Sequence, residues 1–442
     1  MEIQLTEAPH NHILTNHAIW SREGWIVYDV RSDLAGNQFD GRRIERVHVA
    51  SRKVEVLYES PPGACCGVVT CSPTEDRIVF IHGPENPTPN WSYSAFHRRG
   101  VLLDIAQKGS IRNLDACDLV PPFTPGALRG GSHVHTFDSF GAWVAFTYED
   151  HVLAQLDPHE PDHDLNQRNV GVSVPIREVK VPRTHPRNHD GAFFSVLVTQ
   201  TVNHPRPGSD EIARAFEEGW IGNRGYLRAD GSRQVRAVAF QGQVVTENGE
   251  AISEVFIVDL PEDPTIPGDE PLEGTEKRRP APPKGTQQRR LTYTSKRKHP
   301  GIQGPRHWLR FSPEGNQIAF LMKDEEGIVQ LWSISPNGRE PRQITRNPWP
   351  IASAFSWSPD GKQIAHVMDG SVFITDVESG LSQRLTPRRE EAEAPRPEAC
   401  VFSPDGSMIA YVRNVARGEG KFNQIFVVEA SVAALTLDAR LL

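Results

Sequence analysis

The chain is poor in the features that mark out most functions. It has five cysteines in 442 residues, at 65, 66, 71, 117 and 400, with no Cys-x-x-Cys pair. An odd count in that arrangement excludes a disulfide framework and fits a reducing cytoplasm. No run approaches 18 apolar residues, so no membrane span is expected. The opening MEIQLTEAPHNH lacks a basic region followed by an apolar core, so a secretory signal is not expected either. Net charge is -8, and lysine and arginine gather only in short clusters such as 277–279 and 296–298, which argues against a nucleic-acid surface. There is no Gly-x-Ser-x-Gly elbow, and Gly130-Gly131 opens no phosphate loop, so no nucleotide cofactor is expected.

What is present is a repeat. Aromatic-Ser-Pro-x-Gly turns between short apolar strands begin at Phe311 (FSPEGNQIAF), Trp357 (WSPDGKQIAH) and Phe402 (FSPDGSMIAY), with variants at Trp20, Cys71 and Phe137. Glycine supplies the positive φ of such a turn and proline fixes its first corner, so each is a hairpin. The steps of 46 and 45 residues among the last three match one four-stranded propeller blade. The gap from 137 to 311 holds further strands (194–199, 235–245, 254–259, 289–292), read as a fourth blade with two insertions. The expectation is an all-β chain, one seven-bladed β-propeller over 1–442, with insertions at 204–234 and 261–288 in blade four. Residues 3–6 read as an outer strand with no blade before it, so the N-terminal strand is expected to complete the last blade and close the ring. In the first insertion, a short helix capped by Ser209 or Asp210 carries Ile212, Ala215, Phe216 and Trp220 on one face. Residues 204–225 would then cover the histidine-bearing face as a lid. The second insertion reads as a surface loop.

The two ends of the blades differ. The Ser-Pro-Asp-Gly end is uniform. The other end, where the first strands enter and the second and third strands join, is varied, charged and crowded with histidine. Counted back from the aromatic, Asn16, His133, His307 and Glu398 stand at one step. A His-x-His in a regular strand points both rings the same way. Such histidines can hold a metal, supply acid and base groups, or bond the backbone of a neighbouring blade. The candidates are His307 and His17 as catalytic groups, and His133, His135 and His189 as metal ligands. Arg31, Arg129, Arg306, His82, Glu85, Asn86 and Trp308 are expected to contact substrate. The segment His97-Arg-Arg99 reads as a carboxylate site or an exposed corner.

The Phe-Ser-Pro-Asp-Gly repeats resemble those of TolB. Through Tyr28-Asp-Val-Arg31, Phe80-Ile-His-Gly-Pro-Glu-Asn86, the segment 124–135 (TPGALRGGSHVH), 207–211 (PGSDE) and Pro305-Arg-His-Trp308, nearly the whole chain resembles the YidR-like bacterial proteins, an uncharacterised family. His133-Val-His135 is also similar to the His-x-His of the oligogalacturonate lyases. That likeness implies a seven-bladed cytoplasmic enzyme with a divalent metal in its funnel, here Mn, Zn or Ca. The resulting expectation is a lyase acting on a small anionic, uronate-type saccharide in the central funnel. The alternative is a non-catalytic TolB-like propeller that binds a protein partner.

Overall fold

The computed structural model describes residues 1–418 and 420–430. Among these the strands form seven four-stranded antiparallel sheets, the blades of a β-propeller. Blades stack face to face, so both faces of a strand in the middle of a blade are covered. This explains why strands such as Arg77–His82 and Ile318–Lys323 are buried along almost their whole length rather than at alternate residues. The Ser-Pro-x-Gly turns take the form their composition requires. In blade six, Ser358 N–H donates to Gln363 O and Gly361 N–H to Ser358 O, with Gly361 at φ 71°. Strand Glu2–Gln4 pairs antiparallel with Gly420–Glu429, outermost in the sheet that also holds Pro395–Phe402 and Met408–Arg417.

The long gap divides differently from the expectation. Phe194–Leu197 is the outer strand of blade three, paired to Asn169–Val174. The inner strand of blade four is Arg214–Trp220, within the stretch expected to be helical. It pairs with Ala237–Val245, and the sheet's hydrogen bonds override the local helical spacing. The expected lid is therefore absent. Residues 222–225 lie instead at the Ser-Pro-x-Gly end: Asn223 N–H donates to Pro313 O, and Ser139 Oγ donates to Asn223 O. The second insertion is tied down rather than loose. Arg129 donates to the carbonyls of Thr275 and Arg278, and Arg279 bonds Gln167, Thr201 and Asn203, so the insertion of blade four straps the outside of blade three.

Three consecutive inner strands carry the same irregularity. The register slips between Gly67 and Thr70, between His133 and Thr136, and between Phe216 and Gly219. Val68, Val134 and Glu217 take positive φ there (56°, 57° and 55°), each three residues before the strand ends at Cys71, Phe137 or Trp220. A bulge re-aims side chains. Val68 and Val134 turn inward and pack with Trp308 and Ile81, with Phe39 and Tyr93 stacked against them (ring centroids 4.6 Å apart). Together they form an apolar plug of side chains from blades one, two, three and five, with Arg306 and Arg310 against the Trp308 ring and Arg31 against Phe39.

Candidate functional site

The plug and bulges decide the fate of the axial candidates. His307 donates from Nδ1 to Pro305 O (3.0 Å) and accepts Leu321 N–H at Nε2 (3.2 Å), so both ring nitrogens are spent on backbone. Burial, then the nearby Arg310 charge, pushes it down to about 4. It is a structural histidine, not a base. His82 is likewise spent, donating to Gly83 O and accepting from the Tyr58 hydroxyl. His17 donates from Nδ1 to Asn16 Oδ1 (2.8 Å), and burial and the Arg310 charge, which also acts on His307, hold it well below the usual histidine range.

The expected metal set also comes apart. With Val134 left-handed, His133 and His135 no longer share a side. His135 Nε2 bonds Ser132 Oγ (2.9 Å) and lies against Gly100 of blade two. Burial, followed by the charges of Arg98, Arg168 and Arg306, holds His133 well below the usual histidine range. His189 stands in a different loop. Among the described residues these three form no group of metal-ligating atoms. Arginines surrounding His133 suit an anion better than a cation.

Of the residues expected to meet substrate, three more besides His82 are structural. Arg31 pairs with Asp29 (2.8 Å), whose other oxygen accepts Val68 N–H and fixes the bulge. Arg129 is 1% exposed and pairs with Asp150 (2.8 Å) on the far side of blade three. Trp308 belongs to the plug. Arg306 remains exposed at the mouth, bonded to Glu217 (3.1 Å).

Glu85, Asn86 and His189 do meet, in a cleft of about 550 Å³ between blades two and three. One wall is the 83–98 connection of blade two. The other is the 175–193 loop of blade three, which reaches back to blade two through a bridge between His189 and Cys117. Four arginines (98, 99, 112 and 187) and one carboxylate (Glu85) line it. Arg187 is held by the carbonyls of Glu85 and Asn86 (2.7 and 3.1 Å) and lies 5.6 Å from the Trp91 ring. Arg99 donates to Glu85 (2.8 Å), while its buried Nε has no partner. Against the burial that opposes it, Arg99 keeps the Glu85 carboxyl below its usual range.

His189 donates from Nδ1 to Arg187 O (3.1 Å), which leaves Nε2 as a bare lone pair, buried and unpartnered. Burial and the Arg99 charge lower it to about 4. At the rim, His97 stacks on Trp91 (3.8 Å) and donates from Nδ1 to Ser92 O, so its Nε2 must accept the proton of His151 Nδ1 (3.1 Å). Arg112, Arg187 and His151 were not singled out from the sequence. The His97-Arg-Arg99 string was the available sign, and all three of its residues line the cleft. A hollow of about 680 Å³ around Arg46 and residues 105–110 offers no comparable charge, because Arg46 and Lys108 are both taken by Glu55 (2.8 and 2.7 Å).

Gly131 sets the cleft's depth. A Cβ there would fall 2.2 Å from Ala95 O and 2.8 Å from Phe96 Cα, so only glycine lets the 91–98 segment lie on the inner strand of blade three. Gly131→Ala is expected to cost about 1–3 kcal/mol and lift that segment. Hydrogen exchange over 91–98 measures this; unchanged protection would show that the contact does not hold the wall.

Fold and cleft define a seven-bladed propeller with an electropositive, histidine-bearing cleft between neighbouring blades. The chain belongs to a family described as Protein of unknown function (DUF3748), whose family model matches residues 65–189, the stretch that builds the cleft. It is 48% identical over 414 residues (92% of this chain, 94% of the relative) to Uncharacterized protein YidR of Escherichia coli (strain K12). Among solved structures it is similar to an oligogalacturonate lyase in complex with manganese (TM-score 0.56, 11% identity, 97% of this chain and 92% of that one). A similar match is the oligogalacturonate lyase of Vibrio parahaemolyticus (TM-score 0.53, 10% identity, 97% and 93%). At these identities the likeness shows the fold alone. No helix among the described residues is long and apolar enough to cross a membrane.

Proposed function

We propose that the protein takes a small anionic saccharide, a sugar acid, in the cleft between blades two and three and acts on it by elimination next to the carboxylate. The observation that carries this reading is the imbalance of four guanidiniums to one carboxylate around the unpartnered Nε2 of His189. Arg99 Nε and the unspent donors of Arg187 would hold the uronate carboxylate. A guanidinium suits that oxygen pair and would stabilise the charge that develops on it. His189 would take the C5 proton. The electron pair passes to the carboxylate as an enolate, the C4–O bond breaks, and the leaving oxygen takes up a proton as the C4=C5 bond forms. An anion bound beside His189 raises its affinity for a proton, offsetting the neighbouring arginine charge. Large exposed apolar side chains such as Val54, Ile176 and Leu381 lie on different blades rather than in one patch, which gives the scaffold alternative little support.

The test is calorimetric titration with galacturonate and glucuronate oligosaccharides, followed by absorbance of the conjugated unsaturated product. Arg99→Ala should weaken binding on the order of 10- to 100-fold, as expected for a lost charge-assisted bond. His189→Gln should bind comparably and form no product. If wild-type protein binds neither acid at millimolar concentration, the reading fails.

A further inference from the structure

A second constellation lies away from the cleft, on the seam between blades one and seven. His10 precedes the inner strand Asn11–Ile13 of blade one, His12 lies within it, and Glu45 comes from Arg43–His48, two strands outward. One ligating atom from each of the three lies within 4.8 Å of the others. His12 is 1% exposed and Glu45 3%. The His12 Nδ1 hydrogen goes to Asn423 O of blade seven (2.9 Å), which fixes the tautomer and leaves Nε2 a bare lone pair. That Nε2 is buried with no partner, and so is Nε2 of His10. A proton on His10 does not settle the arrangement, since its Nε2 stands 3.7 Å from the nearer Glu45 oxygen, too far for a hydrogen bond, and the His12 lone pair would remain unused. The Asn423 carbonyl stands where an outer-shell partner orients a metal-bound histidine.

From this geometry we infer a divalent transition-metal site formed by His10, His12 and Glu45, independent of the cleft and of the activity proposed for it. Two imidazoles and one carboxylate suit Zn²⁺ or Mn²⁺ and disfavour Ca²⁺, which takes oxygen ligands. Ligand atoms of a bound zinc stand roughly 3–4 Å apart, so the cluster needs only a small contraction to close. Burial disfavours the charged form of His12, although the Asn423 bond works the other way, and the ring presents its free Nε2 as a ligand must. The ion would clamp the inner and third strands of blade one and, through His12 and Asn423, brace them on the last blade.

The test uses the full chain stripped with a chelator, titrated with Zn²⁺, Mn²⁺ and Ca²⁺, with bound metal counted after gel filtration and Tm measured. We expect one equivalent of Zn²⁺ or Mn²⁺, a Tm rise of at least about 3 °C at a hundredfold excess over Kd, and no Ca²⁺. His10→Ala, at a partly exposed side chain, and the isosteric Glu45→Gln should each weaken binding on the order of 100-fold while the metal-free Tm stays put. His189→Gln should keep the full equivalent. Failure of wild-type protein to bind, equal binding of Ca²⁺, or retention of metal by both His10→Ala and Glu45→Gln would each overturn the site. None of these results bears on saccharide binding in the cleft.

Discussion

Arg129→Ala should destabilise the protein by about 3–5 kcal/mol, the penalty typical of removing one partner of a buried ion pair. The guanidinium and the Asp150 carboxylate are 1% and 3% exposed. Asp150 also accepts the Tyr148 hydroxyl (3.1 Å) and caps the helix His151–Ala154 through Leu153 N–H (2.9 Å). Losing Arg129 leaves that carboxylate buried without its cation and frees the carbonyls of Thr275 and Arg278, so the strap over blade three loses its anchor. Denaturant unfolding measures the loss, and limited proteolysis should find new cuts within 261–286. A loss below about 1 kcal/mol, with the strap still protected, would show that Asp150 finds compensation elsewhere.

Stability should also fall steeply as pH drops below the ordinary histidine range. His82, His307 and His366 are pushed down to about 4, and His135 to about 3, in each case first by burial. Unfolded, each binds a proton near pH 6.5, so below that value the unfolded chain carries more protons than the folded one. The stability these neutral rings represent is complete above pH 6.5 and is lost as pH falls toward 4. Each ring contributes about 1.4 kcal/mol per pH unit in that window. Four together amount to several kcal/mol, a drop in Tm on the order of 10 °C between pH 7 and 5. His366, whose Nε2 lies 2.7 Å from Thr375 Oγ1, offers a check, since His366→Gln should flatten the slope by about one proton. A Tm constant from pH 7 to 5 would contradict this account.

The blades were legible because the same local chemistry recurs. A Ser-Pro-x-Gly turn fixes a hairpin wherever it stands, and the steps of 46 and 45 residues count the blades. The inner strand of blade four was not legible. Ile212, Ala215, Phe216 and Trp220 fit helical spacing, and only pairing with a strand some twenty residues later decides otherwise. The site was legible by end but not by position. The histidine-rich end does carry the cleft, yet His133, His135 and His307 are buried and do not line it. Their expected convergence assumed a regular strand, and the left-handed Val134 breaks the alternation on which it depended. His189, Arg187 and Trp91 meet because a loop of blade three returns to blade two. That contact is made far along the chain and leaves no periodic trace.

The make-up of the cleft's walls has a kinetic consequence. Its guanidiniums come both from blade two (Arg98, Arg99 and Arg112) and from the loop of blade three (Arg187). An anion held there would bridge the two blades, and a product that keeps its carboxylate would keep that bridge. It would then occupy the arginines that the next substrate needs, so product should compete with substrate directly.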